Sequence, residues 1–372
     1  MPLHLHWFLP TTGDDRSVVG VTARDSLRSR STTRPPTLDY LSQVALAAES
    51  AGFEAVLTPT GSDCEDSWLT TAALLTTTRR LRFLVAFRPG VIAPPLAAQM
   101  TATYQRLSGD RLFLNIVTGS DADEQRSYGD WLGHDERYAR TDEFLSVLRQ
   151  AWSGEAYAFD GEHYKVSNGQ LRRPATTPPV FFGGASPAAL PVAARHADTY
   201  LTWGEPPAAV AKRIAKVREL AEQQGRERPL SFGIRLHVIS RDTSAEAWSE
   251  ADRILDSLDP EAIKAAQERF RSSESTGQRN MAALHGGSTD GLEIYPNLWA
   301  GFGLVRPGAG TALVGSHEEV AERIEEYAAL GLDHFILSGV PHLEEALRFG
   351  ECVRPILRTR LDIVESEAEG DH

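Results

Sequence analysis

Cysteine is nearly absent from this chain: Cys64 and Cys352 are the only two in 372 residues. Two thiols make no disulfide framework. Positive charge is also in deficit, with 38 Lys and Arg against 51 Asp and Glu and a net charge of -13. No broad basic face is expected, which sets nucleic acid aside as a partner. A small anion is not set aside, because a few convergent arginines reverse the local potential. Long apolar runs are missing too. No stretch approaches the roughly 20 residues that span a bilayer. The start, MPLHLHWFLP, lacks a basic segment followed by an apolar one. These absences point to a cytoplasmic protein with no membrane contact. There is no GxGxxG and no GxxxxGK[ST], so the common nucleotide loops are missing. His4 and His6 alternate near the start, but nothing with metal-ligand spacing accompanies them, and no metal site is expected.

Eight short apolar runs are present: residues 4–9, 55–60, 81–87, 111–117, 180–184, 199–203, 232–239 and 334–338. Most are followed by a helical pattern, over 38–51, 66–78, 94–107, 136–152, 318–330 and 343–357. Strand alternating with helix implies parallel pairing, and eight units close a (β/α)8 barrel, the TIM-barrel class. The length fits one barrel domain over 1–362 with an acidic tail over 363–372. Three insertions interrupt it. Residues 11–36 form a polar loop with five arginines, Arg16, Arg24, Arg28, Arg30 and Arg34. A hairpin turning at Asp160-Gly161 lies between the fourth and fifth strands. Between the seventh and eighth strands, residues 244–270 read as helix with a break at Pro260. Residues 271–310, rich in Gly, Ser and Asn, then read as a long loop that closes over the site.

A barrel gathers its chemistry at the C-terminal ends of its strands. The fifth strand ends in FFGGASP, where a helix starting at about Pro187 would present the N–H groups of Ala185 and Ser186. That is a recipe for a phosphate cradle or merely a tight turn. Trp203, closing the sixth strand, either walls a flat aromatic ligand or fills the core. Alternation along FGIRLHVIS puts Arg235 and His237 together, opposite Phe232, Ile234, Leu236 and Val238. A cation facing inward needs a partner, either an anionic ligand or an internal carboxylate. Cys64 precedes a helix, a place that lowers a thiol pKa, and is either reactive or a packing residue.

Taken together, FLPT, TPTGSDCEDSWL, FLVAFRPG, NIVTGSD, LGHDERY, FFGGAS, LTWGEPP, GIRLHVI, MAALHGG, PNLWAGFGLVRPGAGTALVG and ILSGVPHLEEALR run through nearly the whole chain in order. They resemble the bacterial-luciferase superfamily of flavin-dependent monooxygenases, most of all its alkanesulfonate branch. That resemblance implies a two-component enzyme. A separate NAD(P)H-dependent FMN reductase would deliver FMNH2, and this chain would use it with O2 to oxygenate a small anionic organosulfonate next to sulfur. Sulfite and an aldehyde would result. By the same resemblance Gly184, Ala185 and Ser186, helped by His134 and Tyr138, hold the FMN phosphate. Arg88, Asn115, Thr118 and Trp203 lie near the ring, while Cys64, Arg235, His237 and Arg306 belong to the catalytic site, His237 managing a proton near neutral pH. A cytoplasmic homotetramer is also implied.

Two positions depart from the alkanesulfonate pattern: Thr12 where that branch has His, and Val340 where it has Tyr. They open an alternative, a flavin monooxygenase acting on a sulfone or a non-sulfonate substrate by hydroxylation or Baeyer–Villiger insertion. A flavin-binding protein without turnover is the third possibility.

Overall fold

In a computed structural model that describes residues 2–16, 34–119, 121–271 and 273–365, the eight expected runs form one closed parallel barrel. Its strands are β1 (His4–Phe8), β2 (Ala55–Thr58), β3 (Arg82–Phe87), β4 (Leu112–Ile116), β5 (Val180–Gly183), β6 (Thr199–Trp203), β7 (Ser231–Arg241) and β8 (His334–Ser338). Neighbours pair in sequence order, and β8 returns to β1. The pairing of β7 with both β6 and β8 completes the ring.

Alternation along each strand divides the core in two. Leu5, Trp7, Val56, Phe83, Val85, Leu114, Phe182, Ile234 and Leu337 point outward into the layer shared with the helices. Ala55, Leu57, Leu84, Phe113, Phe181 and Ile336 fill the lumen. Parallel strands buried on both faces require such apolar runs. The helices follow from their own signals. In Leu38–Ser50, Leu41, Val44, Ala45 and Ala48 form one buried stripe, and the Thr37 hydroxyl accepts from the Tyr40 N–H as N-cap. Gly52 ends this helix at φ +80, and a Cβ there would stand 2.5 Å from the Arg354 guanidinium.

Four features differ from the sequence expectations. Pro207–Gln223 is an additional helix, opened by two prolines. The helix after β5 starts at Ala189, not near Pro187. The expected helix over 343–357 is two helices, His342–Arg348 and Arg354–Arg360, joined by a π-turn. The long insertion is far more ordered than a loop. After helices Ser244–Asp256 and Pro260–Arg271 comes a third, Thr276–His285, then short strands Glu293–Tyr295 and Leu298–Trp299 and a 3-10 turn at Gly301–Leu304. A further strand, Ala312–Ser316, pairs in parallel with the C-terminal half of β7. β7 therefore leaves the barrel and carries the insertion on its end. Its glycines and asparagines serve turns around a second apolar cluster of Trp299, Phe302, Leu304, Val305, Val314 and Val340. Arg24, Arg28 and Arg30, and most of the acidic tail, lie outside the described residues. No described helix is long and apolar enough to cross a membrane.

At the N-terminal end of the barrel, histidines plug the lumen. His6 Nε2 lies 2.9 Å from His334 Nδ1, and His4 stacks on His334 at 4.2 Å. Glu54 holds both His4 (2.6 Å) and Arg82 (3.1 Å). Burial pushes His6 down to about 4 and His334 well below its usual value. The unfolded chain takes up these protons near pH 6.5, whereas the folded one resists down to about pH 4. This contribution to stability is complete above pH 6.5 and drains away as pH falls, by roughly 3 kcal/mol at most for His6. Melting temperature is thus expected to fall from pH 7 to pH 5, with a shallower slope in His6→Asn. Parallel slopes in the two proteins would show that the plug does not titrate this way.

Candidate active site

The opposite, C-terminal end of the barrel holds a cleft of about 210 Å³. The backbone after β5 forms one end of it. Tyr200 donates to the Gly184 carbonyl at 2.7 Å and fixes this turn. Ser186 Oγ accepts from the Ala189 N–H at 3.2 Å, which ties the turn to the start of the short helix Ala189–His196. Among the described residues, no acceptor meets the N–H groups of Ala185 and Ser186. They sit in the turn before the helix, not in its first coil. A Cβ on Gly184 would stand 2.7 Å from the Ala189 Cβ and 3.2 Å from the Tyr138 hydroxyl, so the cradle requires glycine there. Tyr138 comes from the helix His134–Trp152. Thr118, 5% exposed, lines the same cleft with its hydroxyl buried near Tyr138. Open N–H groups and a phenol suit a phosphate.

Asn115, Thr118, His134, Tyr138, Gly184, Ala185, Ser186, Trp203 and Arg235 line this one cleft. Register explains part of the gathering, since Trp203 on β6 stands beside Arg235 on β7. The cleft also takes Arg213, paired with Glu205 at 2.7 Å, and the Ser275–Thr276–Gly277 segment of the insertion. Sequence reasoning missed these. Arg213 is one of many helical arginines, and the loop expected to close over the site gives no sequence sign of the helix that brings Ser275–Gly277 in. Arg88, Cys64, His237 and Arg306 do not line the cleft. Arg88 pairs with Glu124 at 2.7 Å, and two of its guanidinium nitrogens stay unpartnered and buried. It flanks Gly61 together with Cys64.

Arg235 faces inward, as alternation along β7 requires. Its Nη1 donates to the Leu236 carbonyl (2.6 Å) and its Nη2 to Ser338 Oγ (2.9 Å), and the guanidinium lies 4.7 Å from the centre of the Phe8 ring. Among the described residues no carboxylate pairs with it, and the internal salt bridge is excluded on that ground. Arg306, on the insertion, forms no ion pair there either. Burial, then the neighbouring Arg306, pushes Arg235 down to about 9; burial pushes Arg306 to about 10, with Asp14 opposing. Both stay charged at neutral pH, and their joint field is left unneutralised.

His237 is not the group that titrates near neutral pH that its sequence suggested. Burial, then Arg235 and Arg306, hold it well below its usual value. Its ring is fully engaged. Nδ1 meets Ser338 Oγ at 2.7 Å and Nε2 meets the Ala309 carbonyl at 3.1 Å. The chain of donors is then Arg235 to Ser338, Ser338 to His237, and His237 to Ala309. His237 holds Arg235 and the insertion in place as a neutral ring. Cys64 is a second correction. Its position before a helix predicts a lowered pKa, yet burial pushes the thiol up to about 11, Thr11 opposing and Glu124 and Asp63 adding to the rise. The benefit of the helix N-terminus goes to Asp66, whose carboxylate caps it.

One pair was not singled out from the sequence. His342, at the start of the helix after β8, is 3% exposed, and Asp14 is 1% exposed. Asp14 accepts from the His342 backbone N–H (2.7 Å) and ring Nδ1 (2.9 Å), and from the Tyr40 hydroxyl (2.5 Å). Burial pushes the Asp14 carboxyl up, but His342 and Tyr40 outweigh it and hold the group below its usual range. His342 Nδ1 faces the Asp14 carboxylate, and its Nε2 is buried beside Phe8 without a hydrogen-bond partner. A histidine just past a strand's C-terminal end was the available signal.

A closed barrel whose C-terminal mouth gathers open backbone N–H groups and two arginines without ion pairs among the described residues has the layout of an enzyme's active site. The chain belongs to the luciferase-like monooxygenase family, whose model matches residues 4–334. Among solved structures it is similar to riboflavin lyase RcaE with modified FMN and riboflavin, at 22% identity over 99% of this chain and 94% of that one, TM-score 0.79. It is also similar to DmoA from Hyphomicrobium sulfonivorans (20% identity, 100% and 91% covered, TM-score 0.77). A third is EDTA monooxygenase from Chelativorans sp. BNC1 (19% identity, 99% and 96% covered, TM-score 0.75).

With burial pushing its thiol up, Cys64 is expected to react slowly. In a Cys352→Ala background, alkylation by iodoacetamide at pH 8 should run about two orders of magnitude slower than for a free thiol. Comparable rates would restore the reactive cysteine.

Proposed function

We propose that this protein is a two-component monooxygenase that takes FMNH2 from a separate NAD(P)H-dependent reductase. With O2 it oxygenates an organosulfonate at the carbon next to sulfur. The balance is organosulfonate, FMNH2 and O2 giving aldehyde, sulfite, FMN and water. The observation that carries this reading is the Arg235–Arg306 pair, two cations at one mouth with no direct ion pair among the described residues, Asp14 acting on Arg306 only through its field. Sulfonate is a permanent anion whose three oxygens suit forked guanidinium donors. A small acidic protein that keeps two unpaired arginines beside a phosphate cradle is arranged for an anionic substrate.

The residues fit FMN. Ala185 and Ser186 N–H groups, Tyr138, His134 and Arg213 would hold its phosphate, and Asn115, Thr118 and Trp203 would face the ring. When bound, reduced FMN supplies the two electrons that activate O2. The chain's own residues do the rest. Arg235 and Arg306 grip the anion. Ser338 and His237 keep Arg235 oriented. His342 Nε2 accepts a proton released from the substrate, and the Asp14 carboxylate stabilises the resulting imidazolium. The apolar wall of Phe302, Val305 and Val340 keeps water away. A cytoplasmic homotetramer belongs to the same reading.

Val340 favours one alternative, a sulfone or non-sulfonate substrate, because an aliphatic side chain stands in that wall in place of a phenol. Supplying FMNH2, O2 and a panel of sulfonates, and measuring sulfite, tests the main reading; no sulfite from any of them rejects desulfonation. Arg235→Ala separates the two. For a sulfonate it should weaken binding by roughly 2–3 kcal/mol, seen as a steep rise in KM. An unchanged KM favours an uncharged substrate. His342→Ala and Asp14→Asn should lower kcat, by about a hundredfold for His342→Ala, with KM little changed. Full activity in His342→Ala would remove it from proton transfer.

A further inference from the structure

The insertion does more than cover the mouth; it forms a wall of both halves of the site. The N-terminus of its helix Thr276–His285 enters the flavin cleft through Ser275, Thr276 and Gly277. Just before it, Glu274 is tied to Arg137 at 3.0 Å, on the helix that also carries His134 and Tyr138. Gly277 packs against Trp203 so closely that a Cβ would stand 2.9 Å from the indole. The next residue, Gln278, is 5% exposed and accepts from the Gly308 N–H at 2.8 Å. Gly308 lies two residues from Arg306 at φ +85, and a Cβ there would reach the other edge of the same indole at 4.0 Å. The short turn before Arg306 is fixed from its other side, because Gln267 Nε2 donates to the Gly303 and Leu304 carbonyls at 3.2 and 2.8 Å.

One indole thus packs on the lid helix, stands near the Arg306 loop and lines the flavin cleft, and one glutamine joins the first two. Thr118, buried at the same end, lines this cleft as well. The Gln278 amide nitrogen is buried without a partner, so this side chain is kept for its oxygen, which the loop uses.

We propose that Gln278 is a positioning residue for Arg306, and that through Gln278 and Trp203 a flavin lodged against the lid helix fixes the loop that grips the substrate anion. The proposal rests on the flavin cleft of the proposed function, but not on the identity of the substrate. Its physical basis is differential contact. A flavin that touches Trp203 and Ser275–Gly277 favours the arrangement in which Gln278 meets Gly308, and so lowers the cost of holding Arg306.

Amide hydrogen exchange over 303–310 tests it, with oxidised FMN as the probe and flavin affinity followed separately by fluorescence quenching. In the wild type, FMN should slow exchange there by roughly fivefold or more. In Gln278→Leu the protection should vanish while FMN affinity stays within about threefold, well short of that coupling. A merely structural glutamine would instead speed exchange equally with and without FMN. Gln278→Glu keeps an acceptor for Gly308 and should keep the protection; its loss there overturns the role given to that oxygen. Equal protection in Gln278→Leu and wild type, or none in a wild type that binds FMN, overturns the coupling alone. A wild type that binds no FMN overturns the flavin reading and this proposal with it.

Discussion

Two arginines that share one mouth without a direct ion pair among the described residues are the constraint around which this molecule is organised. An unpaired buried cation costs several kcal/mol, and such a pair persists only where the surrounding structure holds it. Here the holding is visible. β7 fixes Arg235 within the barrel wall, and Phe8 offers its ring face. Ser338 and the Leu236 carbonyl take up the guanidinium's hydrogen bonds without neutralising its charge, and His237 braces Ser338. Arg306 arrives on the insertion, which is itself an extension of β7 through the paired strand Ala312–Ser316. Both cations therefore hang from one unusually long strand. Asp14 is the carboxylate best placed to cancel this field, yet it is already committed to His342 and Tyr40. The arrangement leaves positive potential for a ligand and leaves a bare imidazole nitrogen next to it.

The division of labour between the two histidines follows from this field. His237 lies inside it with both nitrogens used, so it remains neutral and serves as a brace. His342 has a carboxylate behind one nitrogen and nothing on the other, which is the arrangement of a base. Side chains of one type, both near strand ends, take opposite roles because their neighbours differ.

Much of this was legible in the sequence. The eight strands stand out because parallel strands buried on both faces must be nearly continuous apolar runs. Period-two alternation was enough to put Arg235 inside the barrel. The cradle at Gly184–Ser186 shows itself by paired glycines at a strand end. What stayed hidden depends on pairings between distant residues. Asp14 and His342 are 328 positions apart, and neither is conspicuous alone. The strand Ala312–Ser316 is five residues long and follows a glycine-rich stretch, so only its partner β7 reveals it. Cys64 stayed open between a reactive thiol and a packing residue because a helix start is visible in sequence whereas the burial that overrides it is not. The same holds for His237, whose titration is set first by burial and then by two arginines, one of them 69 residues away along the chain.

The account stands on an anion seated between Arg235 and Arg306. A crystal structure of the protein soaked with an alkanesulfonate, the sulfur located by its anomalous signal, measures this directly. The account predicts the sulfur between the two guanidinium groups, with oxygens in hydrogen-bond reach of both and the attached carbon turned toward the cleft that Trp203 lines. Sulfur found elsewhere, or both arginines paired to carboxylates of the protein, would contradict it.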